Sequence, residues 1–125
     1  MEIIQTARSP RPIGPYSQGV RSGDFVFVVG QGSLDPATGK LPAGIKAQTP
    51  QVLRNIRGIL EAGGATMSHV VKVTAHLADL NDFDAFNGVY KACFWEPNPV
   101  RTAVGSQLLG ILVELDPIAG YRGER

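Results

Sequence analysis

"HVVKVTAHLAD" (His69–Asp79), followed after Leu80 by "NDFDAFNGVYKACFW" (Asn81–Trp95), is the stretch on which the fold turns. The first segment is rich in β-branched residues and reads as a strand. In the second, Phe83, Phe86, Tyr90 and Cys93 or Phe94 recur at helical spacing, so it reads as a helix. Two more strands follow, Val100–Ser106 and Ile111–Ala119. Upstream, "DFVFVVGQG" (Asp24–Gly32) is a strand whose near-continuous apolar character suggests burial on both faces. "LDPATGKLP" (Leu34–Pro42) is a turn segment, opened by Asp-Pro and closed by Thr-Gly. Ala47–Gly64 reads as a helix in which Thr49 caps, Pro50 takes the first helical position and Gly63-Gly64 supplies the stop. Val52, Leu53, Ile56, Ile59 and Leu60 form its apolar stripe.

The predicted order is β-β-α-β-α-β-β, an α+β fold with a mixed sheet. Strand–helix–strand crossovers of this length are normally right-handed, so both helices are expected on one face of the sheet. The other face then needs a cover, since Phe25, Phe27 and Val29 make it partly apolar and no sequence is left over. A second copy of the chain is the economical cover, which predicts a homo-oligomer.

The 125 residues fit one domain, taken as 1–125, and such a length needs no disulfide or metal staple. Net charge is +1, and the basic residues are scattered. The sequence thus has neither the basic footprint of nucleic-acid binding nor the basic helix of a membrane-surface protein. No apolar run reaches signal-peptide or membrane-spanning length. Cys93 is the single cysteine, which suits a reducing compartment and makes cytosol the expected location.

Metal chemistry finds little support. His69 and His76 are seven residues apart on the predicted strand and would point to opposite faces, and no zinc-ligand spacing is present. Cys93, on a helix face beside Phe94, reads as core rather than nucleophile. The glycines of "GQG" and "EAGGA" lack a phosphate-loop lysine and the dinucleotide fingerprint.

Arg101 and Glu114 are the conspicuous charges in apolar strands. If "SQLLG" (Ser106–Gly110) closes an antiparallel hairpin, position 101 falls opposite 114 and the two side chains share a face. One reading is a cross-strand ion pair worth about 0–1 kcal/mol if exposed. The other is functional: Arg101 clamps a carboxylate with its planar fork, and Glu114 serves as a base or orients water. "PIGPYSQGV" (Pro12–Val20) holds Tyr16 on a stiff approach to a strand, either as a half-buried aromatic or with its hydroxyl in a pocket.

Together these segments resemble the reactive intermediate deaminases, the RidA or YjgF-type family. The likeness runs through "IGPYSQGV", "VVGQGSLDPATGKLP", "VLRNIRGILEAGGA", "VVKVTAHLADLNDFDAFNGVYKACF", "PVRTAV" and "VELDPIA", in the family's order. It implies a chorismate-mutase-like α+β fold, assembled as a homotrimer with active sites between subunits. It also implies cofactor-free and metal-free hydrolysis of 2-enamine or 2-imine acids to 2-keto acids and ammonia. By the same resemblance Arg101 holds the substrate carboxylate, assisted by the Ala103 backbone N–H. Glu114 activates water, and Tyr16 and Asn87 line the pocket. A non-catalytic trimer that only binds small carboxylates is the alternative, and a ribonuclease role is disfavoured by the balanced charge. Archetypal members have Ser-Gly-Gln where this chain has Val29-Gly30-Gln31, and a cysteine where it has Ala103. The segments flanking Arg101 are also a few residues shorter. A drier, differently shaped pocket and a bulkier substrate, such as an aminomuconate-like enamine acid, are therefore expected.

Overall fold

The computed structural model describes residues 1–94 and 96–120. Six strands form one sheet in the order β1-β2-β3-β6-β4-β5, with β1 Glu2–Ile4, β2 Gly19–Ser22, β3 Phe25–Val28, β4 Val70–Leu77, β5 Val100–Gly105 and β6 Val113–Gly120. Helix α1 (Ile45–Ala62) connects β3 to β4, and α2 (Phe83–Tyr90) connects β4 to β5. The pairings are antiparallel except for β4 with β5, so the sheet is mixed, as expected. The short strand β1, which pairs with β2, is an addition to the predicted order.

Alternation builds the core. Val26 and Val28 of β3, Val73, Ala75 and Leu77 of β4, and Val113, Leu115 and Ala119 of β6 turn one way and are buried. Against them lies the predicted stripe of α1, since Val52, Leu53, Ile56, Ile59 and Leu60 are all buried. Phe86 and Tyr90 of α2 complete the same layer. The opposite face of the sheet exposes Ile3, Phe25, Phe27, Val100 and Val104. Burial of β3 on both faces is thus not found within one chain: Phe25 and Phe27 stand outward at 46% and 40% exposure.

Several boundaries differ from expectation. Helix α1 starts two residues earlier, after Gly44 (φ 85°), which leaves Pro50 inside it and Thr49 bonded back to the Ile45 carbonyl at 2.8 Å. The predicted second helix is split. A 3-10 turn, Leu80–Asp82, precedes α2, with the Asp79 side chain accepting from Asn81 N–H. After Tyr90 the chain tightens into i→i−3 bonds, Ala92 N–H to Val89 and Cys93 N–H to Tyr90. Trp95, where that helix was expected to end, lies outside the described residues. His69 is not on a strand: it ends the 3-10 turn Met67–His69, and its Nδ1 accepts from Thr66 N–H.

The expected β5–β6 hairpin does not exist. Strand β4 lies between β5 and β6, and the 106–112 segment straddles its end. Ser106 N–H donates to Leu77 O at 2.9 Å, and Ala78 N–H donates to Leu112 O at 3.0 Å. The end of β4 thus takes both ends of that segment, and a tight turn between β5 and β6 has no place. Position 101 is opposite Val73, and position 114 is opposite His76.

Candidate active site

Arg101 lies on the edge strand β5 and shares the helix-covered face of its partner Val73. Helix α2 supplies its bed. Phe83, Phe86, Asn87 and Tyr90 recur at three- and four-residue spacing, so one face of a short helix presents all four. The guanidinium carbon is 4.7 Å from the Tyr90 ring centre, 5.5 Å from Phe83 and 5.8 Å from Phe86. Nη1 donates to Asn87 Oδ1 at 2.7 Å. Aromatic faces attract a cation by about 0.5–2 kcal/mol and cannot neutralise it. Burial pushes the Tyr90 phenol above its ordinary range, with the Arg101 charge opposing the shift, so Tyr90 stays neutral near pH 7. Among the described residues no carboxylate pairs with Arg101. A half-buried cation oriented by an amide and three rings is prepared for an anion, and its planar fork suits a carboxylate. Ala103 stands two residues along the same face, packed against the core.

Glu114 faces the other way. It alternates with the buried Val113 and Leu115 on β6, and so stands on the open face of the sheet. A Cβ built on Gly30 would come within 2.5 Å of Glu114 Oε2, so the carboxylate rests directly on the Gly30 backbone. No hydrogen bond or ion pair holds that carboxylate among the described residues. Tyr16, Gly30, Gln31 and Glu114 line one cavity of about 580 Å³. Its remaining wall is largely apolar, with Leu34, Leu41, Leu108, Leu109 and Ile111. Tyr16 is half exposed, and its hydroxyl accepts the Ile13 N–H at 3.1 Å, which leaves the phenolic proton available to donate. Val29 is half buried, and its N–H donates to Gln18 O at 2.9 Å.

Sequence reasoning missed two glutamines here. Buried Gln18 accepts from Thr6 N–H (2.7 Å) and donates to the Thr6, Ser9 and Pro10 carbonyls, which ties the N-terminal segment and its Tyr16 loop to the sheet. Gln31, 5% exposed, keeps its side-chain Oε1 buried with no partner among the described residues.

The predicted residues therefore form two clusters. Arg101, Asn87 and Ala103 sit on the helix side of the sheet at its edge. Tyr16, Val29, Gly30 and Glu114 sit around the end of β3, with Glu114 on the opposite face. The expectation that Arg101 and Glu114 share a face is overturned, because β4 separates their strands and the register turns them apart. Among the described residues no group of three His, Cys, Asp or Glu gathers as a metal site. Burial raises the Cys93 thiol above its ordinary range, with Arg57 opposing the shift, which fits its packing against the core. No helix among the described residues is long and apolar enough to cross a membrane.

A six-stranded mixed sheet with two helices on one face defines an α+β protein, with an arginine at the sheet edge and a glutamate on the open face that form no ion pair among the described residues. Residues 6–121 match the model of the family described as Endoribonuclease L-PSP, and the chain belongs to that family, the YjgF/RidA family. A RutC family protein of Pyrococcus abyssi is 49% identical over 121 residues, covering 94% of this chain and 95% of its own length. A Capra hircus protein named 2-iminobutanoate/2-iminopropanoate deaminase is 45% identical, covering 94% of this chain and 88% of its own. Among solved structures, RidA from the Antarctic bacterium Psychrobacter superposes with a TM-score of 0.92 at 41% identity, covering 96% of this chain and 99% of that one.

Proposed function

We propose that the protein hydrolyses 2-imino and 2-enamine carboxylic acids to 2-keto acids and ammonia without a cofactor, at sites completed by a neighbouring copy in a homotrimer. The observation that carries this reading is the Arg101 guanidinium, backed by three rings and Asn87 and pairing with no carboxylate among the described residues. Relatives named as imine deaminases support the reaction class.

Division of the residues between two faces supports the assembly. One chain does not bring Arg101 and Glu114 to the same cleft, whereas the Arg101 edge of one copy set against the Glu114 face of another would. The exposed Ile3, Phe25 and Phe27 give that contact an apolar driving force, and closed rotational symmetry satisfies every copy alike.

In this reading Arg101 binds the substrate carboxylate through its fork, with the Ala103 N–H assisting, and so fixes C2 relative to Glu114. The enamine tautomerises to the imine, and protonation of its nitrogen makes C2 electrophilic. Glu114 takes a proton as water attacks C2, and the C2–O bond forms. The same proton then goes to the carbinolamine nitrogen, the C2–N bond breaks and ammonia leaves, while Glu114, a carboxylate again, takes the hydroxyl proton as the second C–O bond of the keto group forms. Tyr16 donates its free phenolic proton to a polar atom of the bound acid. The largely apolar wall of the Glu114 cavity favours substrates bulkier than the imine of alanine, as do Val29 next to Gly30 and Ala103 on the Arg101 face, each standing where the family archetype has a polar residue.

The test is turnover. An amino-acid oxidase generates imines of small, branched and aromatic amino acids, and keto-acid release is followed with the native protein and Arg101→Ala. Acceleration that disappears in the variant supports the reading. No acceleration on any imine, with a keto acid still bound through Arg101, would turn the assignment to a carboxylate-binding trimer, the reading that the loss of two polar pocket side chains favours.

A further inference from the structure

His76 stands opposite Glu114 in the β4–β6 register, on the open face of the sheet, yet it is bonded to others. Its Nε2 is 3.1 Å from Asp116 Oδ2, and its Nδ1 is 3.0 Å from Ser106 Oγ. An ionised carboxylate only accepts, so Nε2 carries the proton toward Asp116. In the neutral imidazole Nδ1 then accepts from the Ser106 hydroxyl, and in the cation it donates to the same oxygen. Either way the ring is held at both nitrogens. Asp116 lies two residues beyond Glu114 on the same face of β6, which makes it the diagonal neighbour of His76. The ring therefore passes over its direct cross-strand neighbour and takes the second carboxylate.

We infer that His76 is a positioning residue for Glu114: by drawing Asp116 into a hydrogen-bonded pair anchored on Ser106, it leaves Glu114 without an ion-pair partner among the described residues and offsets the neighbouring negative charge. The role as base is the reading proposed above, and this inference rests on it for its functional meaning. Arg11 and Tyr16 line the same cavity as Glu114 from the N-terminal segment and are left unchanged in every variant compared below. Lys72 lies four residues back along β4, β5 presents Val100, Thr102 and Val104, and β3 presents Phe25 and Phe27. Ser106 also opens the 106–112 segment, whose Gln107, Leu108, Leu109 and Ile111 line the Glu114 cavity, so the same imidazole fixes one end of that wall.

Where carboxylic acids titrate, imidazole is cationic. Replacing it by a neutral side chain leaves Asp116 as an uncompensated negative neighbour, which favours protonated Glu114. Neutralising Asp116 instead leaves a cation beside Glu114, which favours the carboxylate.

The experiment is a carboxyl carbon-13 NMR titration of the full-length protein labelled at glutamate, with Glu114→Gln assigning the resonance. The titration midpoint of residue 114 is expected to rise in His76→Gln, to fall in Asp116→Asn, and to return near the native value in the double variant. A midpoint unmoved by His76→Gln, or moved in the same direction by both single variants, overturns the inference. The titration needs no substrate. A native protein that fails to turn over imines refutes the deaminase reading alone, while a native deaminase with an unmoved midpoint refutes the role of His76 alone.

Discussion

Gly30→Ala is the smallest change that tests the placement of Glu114. The added methyl carbon would sit 2.5 Å from Oε2 and 3.0 Å from Cδ of Glu114. Ordinary contact begins at 3.4 Å, so the carboxylate must retreat by about 0.9 Å. What it meets is the free end of a flexible side chain rather than backbone, and Gly30 is not among the glycines with positive φ, so the fold accommodates the change. Moving a side chain off its preferred rotamer costs about 0.5–1.5 kcal/mol, which bounds the loss of stability. For chemistry the same displacement is large, since a reacting group misplaced by about 1 Å can lose roughly 100-fold in rate, about 2.7 kcal/mol of barrier. The variant should therefore unfold within a few degrees of the native protein and lose most of its kcat on oxidase-generated imines, with KM little changed because Arg101 is untouched. An unchanged kcat alongside native stability would show that the position of Glu114 does not matter to the reaction, and the role assigned to it would fall.

Arg101→Lys keeps the charge and abandons the planar fork, so kcat/KM should drop roughly 10- to 100-fold, mainly through KM. Steady-state kinetics on one branched imine would reveal the split, and a drop confined to kcat would contradict the clamp. Tyr90→Phe removes a buried hydroxyl that has no partner among the described residues and should change stability by less than about 1 kcal/mol, toward stabilisation. Since the folded-state phenol titrates above its unfolded value, its contribution is full below about pH 10 and is lost as pH rises through the folded value. Urea midpoints measured from neutral to strongly alkaline pH should therefore decline less steeply in the variant, and parallel declines would remove the buried phenol as a cause.

The layers of this fold were legible because burial writes a periodic pattern. The stripe from Val52 to Leu60 and the alternation of β4 are direct consequences of one buried face. Strand order was not legible, because no local pattern states that β4 inserts between β5 and β6. The hairpin placing Arg101 opposite Glu114 was read from the short "SQLLG" segment (Ser106–Gly110), and it failed on a pairing set by distant strands. Pro50 misled for a related reason: it fits a first helical turn, but Gly44 lets the chain enter the helix earlier. Arg101 and Glu114 were visible as charges out of place in apolar strands. Gln18, Gln31 and the His76–Asp116 pair were not, since their meaning lies in contacts between segments far apart in sequence.

Active-site complementation tests the central claim, a site shared between copies, most directly. Arg101→Ala and Glu114→Gln are each expected to be inactive. Unfolded together in equal amounts and refolded, they should regain about one quarter of native imine turnover, because random assembly in a symmetric ring pairs an intact Arg101 with a neighbour's intact Glu114 at that frequency. Full inactivity of the mixture, with mixed oligomers demonstrated by differential tagging, would mean that both residues serve from one chain and would contradict the account.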